Sequence, residues 1–191
     1  MASLKQEVGV SALTKAALGR ELSLSEVAAA VGLDDLRDSV EPNGKIWVGS
    51  IGYENYKDVS HFGKRLHEAG VERLIDVREL PMSRRRGYAK TALRTALAEW
   101  DIEYLHLRAL GNPKPLRDLY KTGRVAEGRE GFSRLLLKER MDHLREMPQL
   151  LREKRSALMC VEHDEDVCHR QVILNALEND VGVQLEVSRL G

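Results

Sequence analysis

The amino-acid sequence predicts an α/β fold, with a mostly parallel open sheet of about five strands flanked by helices and an N-terminal helical extension. From Lys45 onward, short apolar runs alternate with stretches that have apolar residues at helical spacing. This alternation is typical of a parallel sheet covered on both faces. Residues 41–45 form a turn-rich linker with a proline and a glycine, which divides an extension, residues 1–44, from an α/β domain, residues 45–191.

The extension, residues 1–44, is predicted to form short helices. Residues 10–18 are amphipathic, and residues 24–33 have a serine cap signal at their start and a glycine near their end. The second stretch resembles the first half of a helix-turn-helix, but the segment that follows it is acidic. Because a DNA reader needs cations at the phosphates, we expect these helices to pack or to bind a protein partner.

The elements of the domain follow from the apolar pattern. Strands are predicted over residues 46–51, 71–77, 102–107, 157–161 and 183–187. Helices are predicted over residues 59–68, about 90–100, about 131–155 and 171–178, and Pro148 favours a break in the third of them. The stretch 111–128 is rich in glycine, proline and charge, and it is predicted to be irregular.

Polar side chains follow the carboxyl ends of the predicted strands, where open α/β sheets bind their ligands. We therefore expect one site at this edge of the sheet. Its candidate residues, in chain order, are Gly52, Asp76, Arg78, Ser83, Arg84, Glu162, Cys168, His169 and Arg170.

Reactive residue types occur at the start of the helix that follows the fourth strand. Cys168 is the candidate nucleophile, because a helix start beside His169 and Arg170 favours a thiolate. The alternative is a small buried cysteine that packs the helix. Proton transfer or attack is assigned to four candidate catalytic residues: Asp76, Glu162, Cys168 and His169.

A bound anion is the expected ligand of the arginines. Arg78, Arg84 and Arg170 are assigned to hold it, since guanidinium groups bind anions in a bidentate manner. Gly52 and Ser83 complete the predicted substrate-binding set. The alternative for Arg78 is an ion pair with Asp76 that only shapes the loop.

A metal site is not predicted, and neither is a cofactor. Cys160, His163, Cys168 and His169 form a loose array that lacks the paired ligands of common zinc motifs. Adjacent Cys168 and His169 are also expected to have difficulty in binding one ion together. A redox pair of Cys160 and Cys168 is disfavoured, because the spacing is not Cys-x-x-Cys.

Charge and composition limit the class of protein. The net charge is zero, but residues 78–94 carry six basic side chains and one acidic side chain. A local basic patch suits an anionic ligand better than nonspecific coating of nucleic acid, although it can also be a solvated face. No apolar run approaches the roughly 18 residues of a membrane span, and no secretion signal is recognised, so we expect no membrane association and a cytoplasmic location.

The ordered motifs of the chain resemble those of the domain of unknown function 488 family over about residues 46–189. The resemblance rests on Gly49-Ser-Ile-Gly-Tyr53, Asp76-Val-Arg78, Pro81-Met-Ser-Arg84, Leu110-Gly111, and Leu158-Met-Cys-Val-Glu162 with Cys168-His-Arg170. It implies a single α/β domain and no settled reaction. Its matching positions are Gly52, Asp76, Arg78, Pro81, Ser83, Arg84, Gly111, Cys160, Glu162, Cys168, His169 and Arg170, and Asn112 departs from a glycine that is frequent in the family.

The predicted function is that of an enzyme, a hydrolase or transferase, acting on an anionic substrate that bears phosphate, such as a nucleotide or a nucleic-acid component. The alternative is a noncatalytic module that binds a nucleotide or nucleic acid. The expected partners are therefore an anionic small molecule or nucleic acid, and a protein that docks on the N-terminal helices.

Overall fold

The computed structural model describes residues 44–191, so the predicted helices of residues 1–44 lie outside the described residues. The described part contains one sheet of five strands. They are β1 (Ile46–Gly52), β2 (Arg73–Asp76), β3 (Glu103–His106), β4 (Ser156–Cys160) and β5 (Leu185–Arg189). Their spatial order is β3-β2-β4-β1-β5, and each neighbouring pair is parallel. The predicted α/β fold with a parallel open sheet is confirmed.

Six α-helices flank this sheet in the described residues. They are α1 (Val59–Glu68), α2 (Lys90–Ala98), α3 (Lys114–Lys121), α4 (Val125–Glu139), α5 (Met141–Glu153) and α6 (His169–Asn179). Two short 3-10 turns, Arg108–Leu110 and Glu165–Val167, complete the described elements.

The helices predicted between β3 and β4 differ from those observed, and the one predicted to begin at about residue 131 begins at Val125. The stretch 111–128 contains α3, whose second residue is Pro115. A proline is compatible with the first turn, because the amide groups there have no intrahelical partner. The long helix predicted over residues 131–155 is divided at Arg140 rather than near Pro148. Pro148 lies inside α5, and buried residues of this helix both before and after Pro148 pack on the core.

The helices cover both faces of the sheet, and alternate strand residues point to opposite faces. Ile75 and Leu158 belong to a buried cluster with α4, α5 and α6. Their neighbours Leu74 and Met159 belong to a second cluster with α1 and α2. Apolar residues therefore occupy consecutive positions along the central strands, as expected for a sheet buried on both faces.

The chain changes direction across the sheet between β2 and β4, which are neighbours. The connection that leaves β2 runs to the edge strand β3, whereas the connection that leaves β4 runs to β5 at the opposite edge. A crevice forms where two such connections diverge. Among the described residues, no helix is both long enough and apolar enough to cross a membrane.

Candidate functional site

A pocket of about 380 Å³ opens at this divergence of the β2 and β4 connections. Residues that follow β2 form one side, residues of β4 and the loop after it form another, and α3 contributes a third. Its lining residues are Arg78, Glu79, Leu80, Met82, Asn112, Arg117, Tyr120, Lys121, Cys160, Val161, Glu162, Val167, Cys168 and His169.

Four of these side chains meet within the pocket and form what we call the Cys–Glu–His cluster: Cys160, Glu162, Cys168 and His169. One sulfur, oxygen or nitrogen atom from each lies within 4.8 Å of the others. Oε2 of Glu162 lies 3.0 Å from Sγ of Cys160 and 3.3 Å from Sγ of Cys168. Nδ1 of His169 lies 3.6 Å from the first sulfur and 3.8 Å from the second. These four residue types are all metal ligands as well as acid–base or nucleophilic groups.

The backbone at Cys168 explains why two adjacent side chains reach one cluster. Cys168 is extended, with φ −123° and ψ 147°, and it is the N-cap of α6. His169 is the first helical residue. In a continuous strand neighbouring side chains would point to opposite faces, but the change from extended to helical backbone at Cys168 allows both to turn toward Glu162.

The imidazole of His169 has a fixed tautomer. Its Nε2 lies 2.8 Å from the carbonyl oxygen of Val77, and a carbonyl can only accept a hydrogen bond, so Nε2 carries a proton. In the neutral ring Nδ1 then carries a lone pair, and this atom faces the two thiols. The edge-on contact with Phe132, at 5.2 Å between ring centroids, further restrains the ring.

Burial and mutual contacts shift the pKa values of the cluster. Burial alone would raise the pKa of Cys168, but hydrogen bonds with Cys160 and His169 and the charge of Arg170 lower it well below its ordinary value. The pKa of Cys160 is raised by its hydrogen bond to Cys168 and by burial. Burial and the nearby Cys168 raise the pKa of Glu162. The negative charge of the cluster thus concentrates on Cys168.

Arg170 organises the loop that joins β4 to α6. Its Nη2 donates to the carbonyl oxygen of Glu162 at 2.6 Å, and its Nε lies 3.3 Å from Sγ of Cys168. Arg170 is 1% exposed and is not among the residues that line the pocket. The structure therefore places it behind the cluster.

Asp76 and Arg78 form a buried ion pair beneath the pocket. Oδ1 and Oδ2 of Asp76 accept from Nε and Nη2 of Arg78 at 2.9 and 2.6 Å, and Oδ2 also accepts from the hydroxyl of Tyr104. Burial alone would lower the pKa of Arg78, but the hydrogen bond and charge of Asp76 raise it above its ordinary value. Arg78 lines the pocket, whereas Asp76 does not.

Polar groups of the loop between β2 and α2, residues 77–89, form hydrogen bonds within the loop and with the segment that follows β1. The hydroxyl of Ser83 accepts from the hydroxyl of Tyr53 at 3.3 Å and from the amide of Arg85 at 3.1 Å. The guanidinium of Arg85 donates to the carbonyl oxygens of Tyr53, Glu54 and Tyr56. Arg84 is exposed. Neither Ser83 nor Arg84 lines the pocket.

Gly52 has a steric role at the end of β1. A Cβ atom there would lie 1.7 Å from the carbonyl oxygen of Glu162. Gly111 is similarly constrained, because a Cβ atom would lie 2.3 Å from Cα of Glu79. Gly52 thus allows the loop after β4 to approach β1 closely, and Gly111 allows the segment after β3 to approach the loop after β2.

The structure thus brings four of the nine predicted site residues into the pocket lining, namely Arg78, Glu162, Cys168 and His169. Gly52, Asp76, Ser83, Arg84 and Arg170 lie outside the lining. Arg78, Arg84 and Arg170 were expected to hold one anion together, but only the first of them lines the pocket. The catalytic and binding roles assigned from the sequence stay predictions.

Sequence reasoning missed the wall that α3 provides. Arg117, Tyr120 and Lys121 lie on this helix, in a stretch predicted to be irregular. The hydroxyl of Tyr120 and Oδ1 of Asn112 are buried and have no hydrogen-bond partner among the described residues. A usable signal was present, because a proline pair followed by apolar residues at helical spacing is compatible with a helix start.

Comparison with known proteins gives one match. The family model described as Domain of unknown function DUF488 matches residues 58–177. No match was found among curated proteins or among solved structures. The matched range contains every member of the Cys–Glu–His cluster together with Asp76 and Arg78. Because the model matches more than half of the chain, the chain belongs to the family of Domain of unknown function DUF488.

Proposed function

We propose that this protein is an enzyme, a hydrolase or transferase, that acts in the pocket on a small anionic substrate with an apolar part. The observation that carries the proposal is the presence of the Cys–Glu–His cluster and of three cationic side chains in the lining of one pocket. Reactive groups with strongly shifted pKa values in a concave site are typical of catalytic centres.

One lysine in the pocket lining favours an anionic ligand, because the two arginines there are paired with carboxylates. Arg78, Arg117 and Lys121 line the pocket, together with two carboxylates. Arg117 donates to Oε2 of Glu79 at 2.5 Å, which neutralises that carboxylate. The side chain of Lys121 is exposed and forms no hydrogen bond or ion pair with any residue in the described part, although its charge acts on the carboxylate of Asp118. Its ammonium group is therefore available to a ligand such as a phosphate.

The pocket also offers an apolar surface. Leu80, Met82 and Val167 are 49%, 73% and 42% exposed, and all three line the pocket. They are three of the five large apolar side chains that are exposed in the described residues. An exposed apolar patch beside a few polar groups is typical of a ligand site. A nucleotide combines a planar, weakly polar base with a phosphate, and it matches both surfaces.

The Cys–Glu–His cluster supplies the chemistry in this proposal. Glu162 and His169 are suited to proton transfer. Cys168 is suited either to direct attack on the substrate or to holding a metal ion that activates water. Asp76 does not line the pocket, and its role in this proposal is to hold the guanidinium of Arg78 in place. A module that only binds an anion would need no buried thiols beside an imidazole.

The test is a panel of anionic compounds offered to the full chain: nucleoside monophosphates, sugar phosphates and p-nitrophenyl phosphate. Binding is measured as an increase in Tm, and turnover as product formation. We expect at least one compound to bind. Lys121→Ala should weaken that binding about tenfold, as expected for the loss of one favourable charge contact of about 1.4 kcal/mol. Lys138→Ala, which changes an exposed lysine outside the pocket, should leave the affinity unchanged.

Tyr120 allows a second variant that preserves shape. Burial raises the pKa of Tyr120 to about 12, so its hydroxyl remains protonated and can donate. Because this hydroxyl has no hydrogen-bond partner among the described residues, Tyr120→Phe should not lower Tm. It should lower the affinity for the bound compound several-fold, because a hydrogen bond to that compound is lost. Equal affinity in Lys121→Ala, Tyr120→Phe and the unchanged chain would contradict this pocket as the substrate site. Binding without turnover of any compound would favour the noncatalytic module.

A further inference from the structure

We propose that Cys160, Cys168 and His169 bind one Zn²⁺ ion, with Glu162 in the fourth position. The inference concerns the same cluster as the proposed enzyme, and only the catalytic use of the ion rests on that proposed function.

The distances from His169 to the two thiols match a tetrahedral zinc site, and all four ligand atoms lie within 4.8 Å of one another. With Zn–S of about 2.3 Å and Zn–N of about 2.0–2.1 Å, the ligand atoms of a tetrahedron lie about 3.5–3.8 Å apart. Nδ1 of His169 lies 3.6 and 3.8 Å from the two sulfurs. Oε2 of Glu162 lies 3.0 and 3.3 Å from them, which requires only a small outward movement of this carboxylate.

The groups around the cluster support the ligands as they do in metalloproteins. A ligating histidine usually donates its second ring N–H to a carbonyl or carboxylate. His169 does so, because its Nε2 donates to the oxygen of Val77 at 2.8 Å. Nε of Arg170 lies 3.3 Å from Sγ of Cys168 and balances the charge of that ligand.

Adjacent Cys168 and His169 are expected from the sequence to have difficulty in binding one ion together, but the backbone of the folded chain brings them to the same side. Since the backbone turns from extended to helical at Cys168, the thiol and Nδ1 of the imidazole lie 3.8 Å apart on the same side. One ion can therefore contact both.

The ligand types favour zinc over harder cations. Mg²⁺ and Ca²⁺ prefer oxygen ligands, whereas two thiolates and an imidazole select a softer ion such as Zn²⁺. Both cysteines are free thiols. In the cytoplasm, the expected location, thiols remain reduced and available to a metal.

Glu162 occupies the position through which the ion would contact a substrate. It is the one member of the cluster that is only partly buried, and it lines the pocket. Catalytic zinc sites hold three protein ligands and keep the fourth position for water or substrate. Cys160, Cys168 and His169 would provide the three. Movement of Glu162 off the ion would admit a water molecule, and the same carboxylate could then take its proton.

The experiment uses the full chain, reduced and freed of metal with a chelator, and titrates it with Zn²⁺ and with Co²⁺. We expect one ion per chain. Co²⁺ should give the strong visible bands of tetrahedral coordination together with a thiolate-to-cobalt charge-transfer band. Cys160→Ser and Cys168→Ser should each lower the intensity of that band by about half. Each should also weaken Zn²⁺ binding more than about 100-fold, beyond the usual effect of a lost outer-shell partner.

His143→Gln serves as the control, because His143 is an exposed histidine outside the pocket, and it should bind Zn²⁺ like the unchanged chain. The Co²⁺ spectrum of the unchanged chain decides the question even where a cysteine variant fails to fold. Absence of one-to-one binding, or bound Co²⁺ without a thiolate charge-transfer band, would overturn the site. A disulfide between Cys160 and Cys168 that persists under cytoplasm-like reducing conditions would overturn it as well.

The metal readout is independent of turnover, so the two proposals can fail separately. Zinc binding without turnover of any anionic compound would leave the metal site standing and contradict the proposed enzyme. Turnover by a chain that binds no zinc would contradict the metal site and point to direct attack by Cys168.

Discussion

The positions of the side chains in the Cys–Glu–His cluster depend on nearby residues that carry no reactive group. Gly52 is the clearest case. It lies at the end of β1, and its missing side chain leaves space for the carbonyl oxygen of Glu162. The position of Glu162 therefore depends on a residue that contacts it only through backbone atoms.

Substitution of Gly52 by alanine should disturb both stability and the cluster. The new Cβ would meet the backbone of Glu162 and His163 at 1.7–2.6 Å, and backbone atoms cannot rotate away as a side chain can. We expect a loss of about 3 kcal/mol in the free energy of unfolding, the upper part of the usual range for overpacking. The measurement is urea denaturation.

Gly131→Ala is the matched control. Gly131 lies within α4, and an added Cβ would meet only the flexible end of Leu116. Because alanine is the better helix former, by up to about 1 kcal/mol, this variant should be as stable as the unchanged chain or more so. Equal stability of Gly52→Ala and Gly131→Ala would show that the loop after β4 can move away from β1.

At the scale of the elements, an ion-pair network joins the ends of three strands opposite the pocket. Glu103 on β3 accepts from Nε of Arg73 on β2 at 3.1 Å. It also accepts from Nζ of Lys154, just before β4, at 2.9 Å. Hydrogen bonds with Lys154 and Arg73 lower the pKa of Glu103 below its ordinary value of 4.5, although partial burial opposes them.

This network predicts a pH dependence of stability. A carboxyl group whose pKa is lower in the folded state stabilises the fold above its unfolded pKa, near 4.5. That contribution is lost as the pH falls through the lower folded pKa. Glu103→Gln should therefore be less stable than the unchanged chain at pH 7, by at most about 1 kcal/mol because the pair is partly exposed. The difference should shrink below pH 4.5.

Urea denaturation at several pH values between 7 and 3 measures this difference. Glu99→Gln is the control, since the carboxylate of Glu99 is exposed and forms no hydrogen bond or ion pair with any residue that the structure describes. A constant difference between Glu103→Gln and the unchanged chain over this pH range would show that the network does not respond to ionisation of Glu103.

The elements also show how far a sequence could predict the site. Cys168, His169 and Glu162 were found because strand ends in parallel sheets gather at one edge, a rule that needs only strand positions. Tyr120 and Lys121 were missed because glycine, proline and charge are frequent over residues 111–128 and favour an irregular segment, although the two prolines at the start of α3 are also compatible with a helix start. A run of three arginines cannot indicate which one turns inward, and here Arg85 does so by donating to three carbonyl oxygens.

At the scale of the whole molecule, the distribution of charge leads us to expect weak binding of a long polyanion. The formal net charge is zero. Within the basic stretch 78–94, Arg78 is paired with Asp76, and Arg85 is held by carbonyl oxygens. The cations that remain for an external phosphate chain are therefore fewer than the sequence suggests, and nonspecific nucleic-acid binding depends on the number of such contacts.

The full chain should accordingly bind a random single-stranded oligonucleotide weakly. We expect a dissociation constant no tighter than about 10⁻⁴ M at physiological salt, the weak end of nonspecific binding. Fluorescence anisotropy at increasing salt concentration measures it. Micromolar affinity that falls steeply with salt would contradict this expectation and favour the nucleic-acid binding module.

The hydrogen bond between His169 and Val77 has a consequence for observation of the protein in solution. The proton on Nε2 of His169 is buried and held by a carbonyl oxygen, so its exchange with solvent should be slow. Such a ring proton gives a nuclear magnetic resonance signal far downfield of the backbone amides. Nδ1 of the same ring faces the two thiols. The position of this one signal should therefore change when a metal ion binds to the cluster, and it can be followed before any substrate is known.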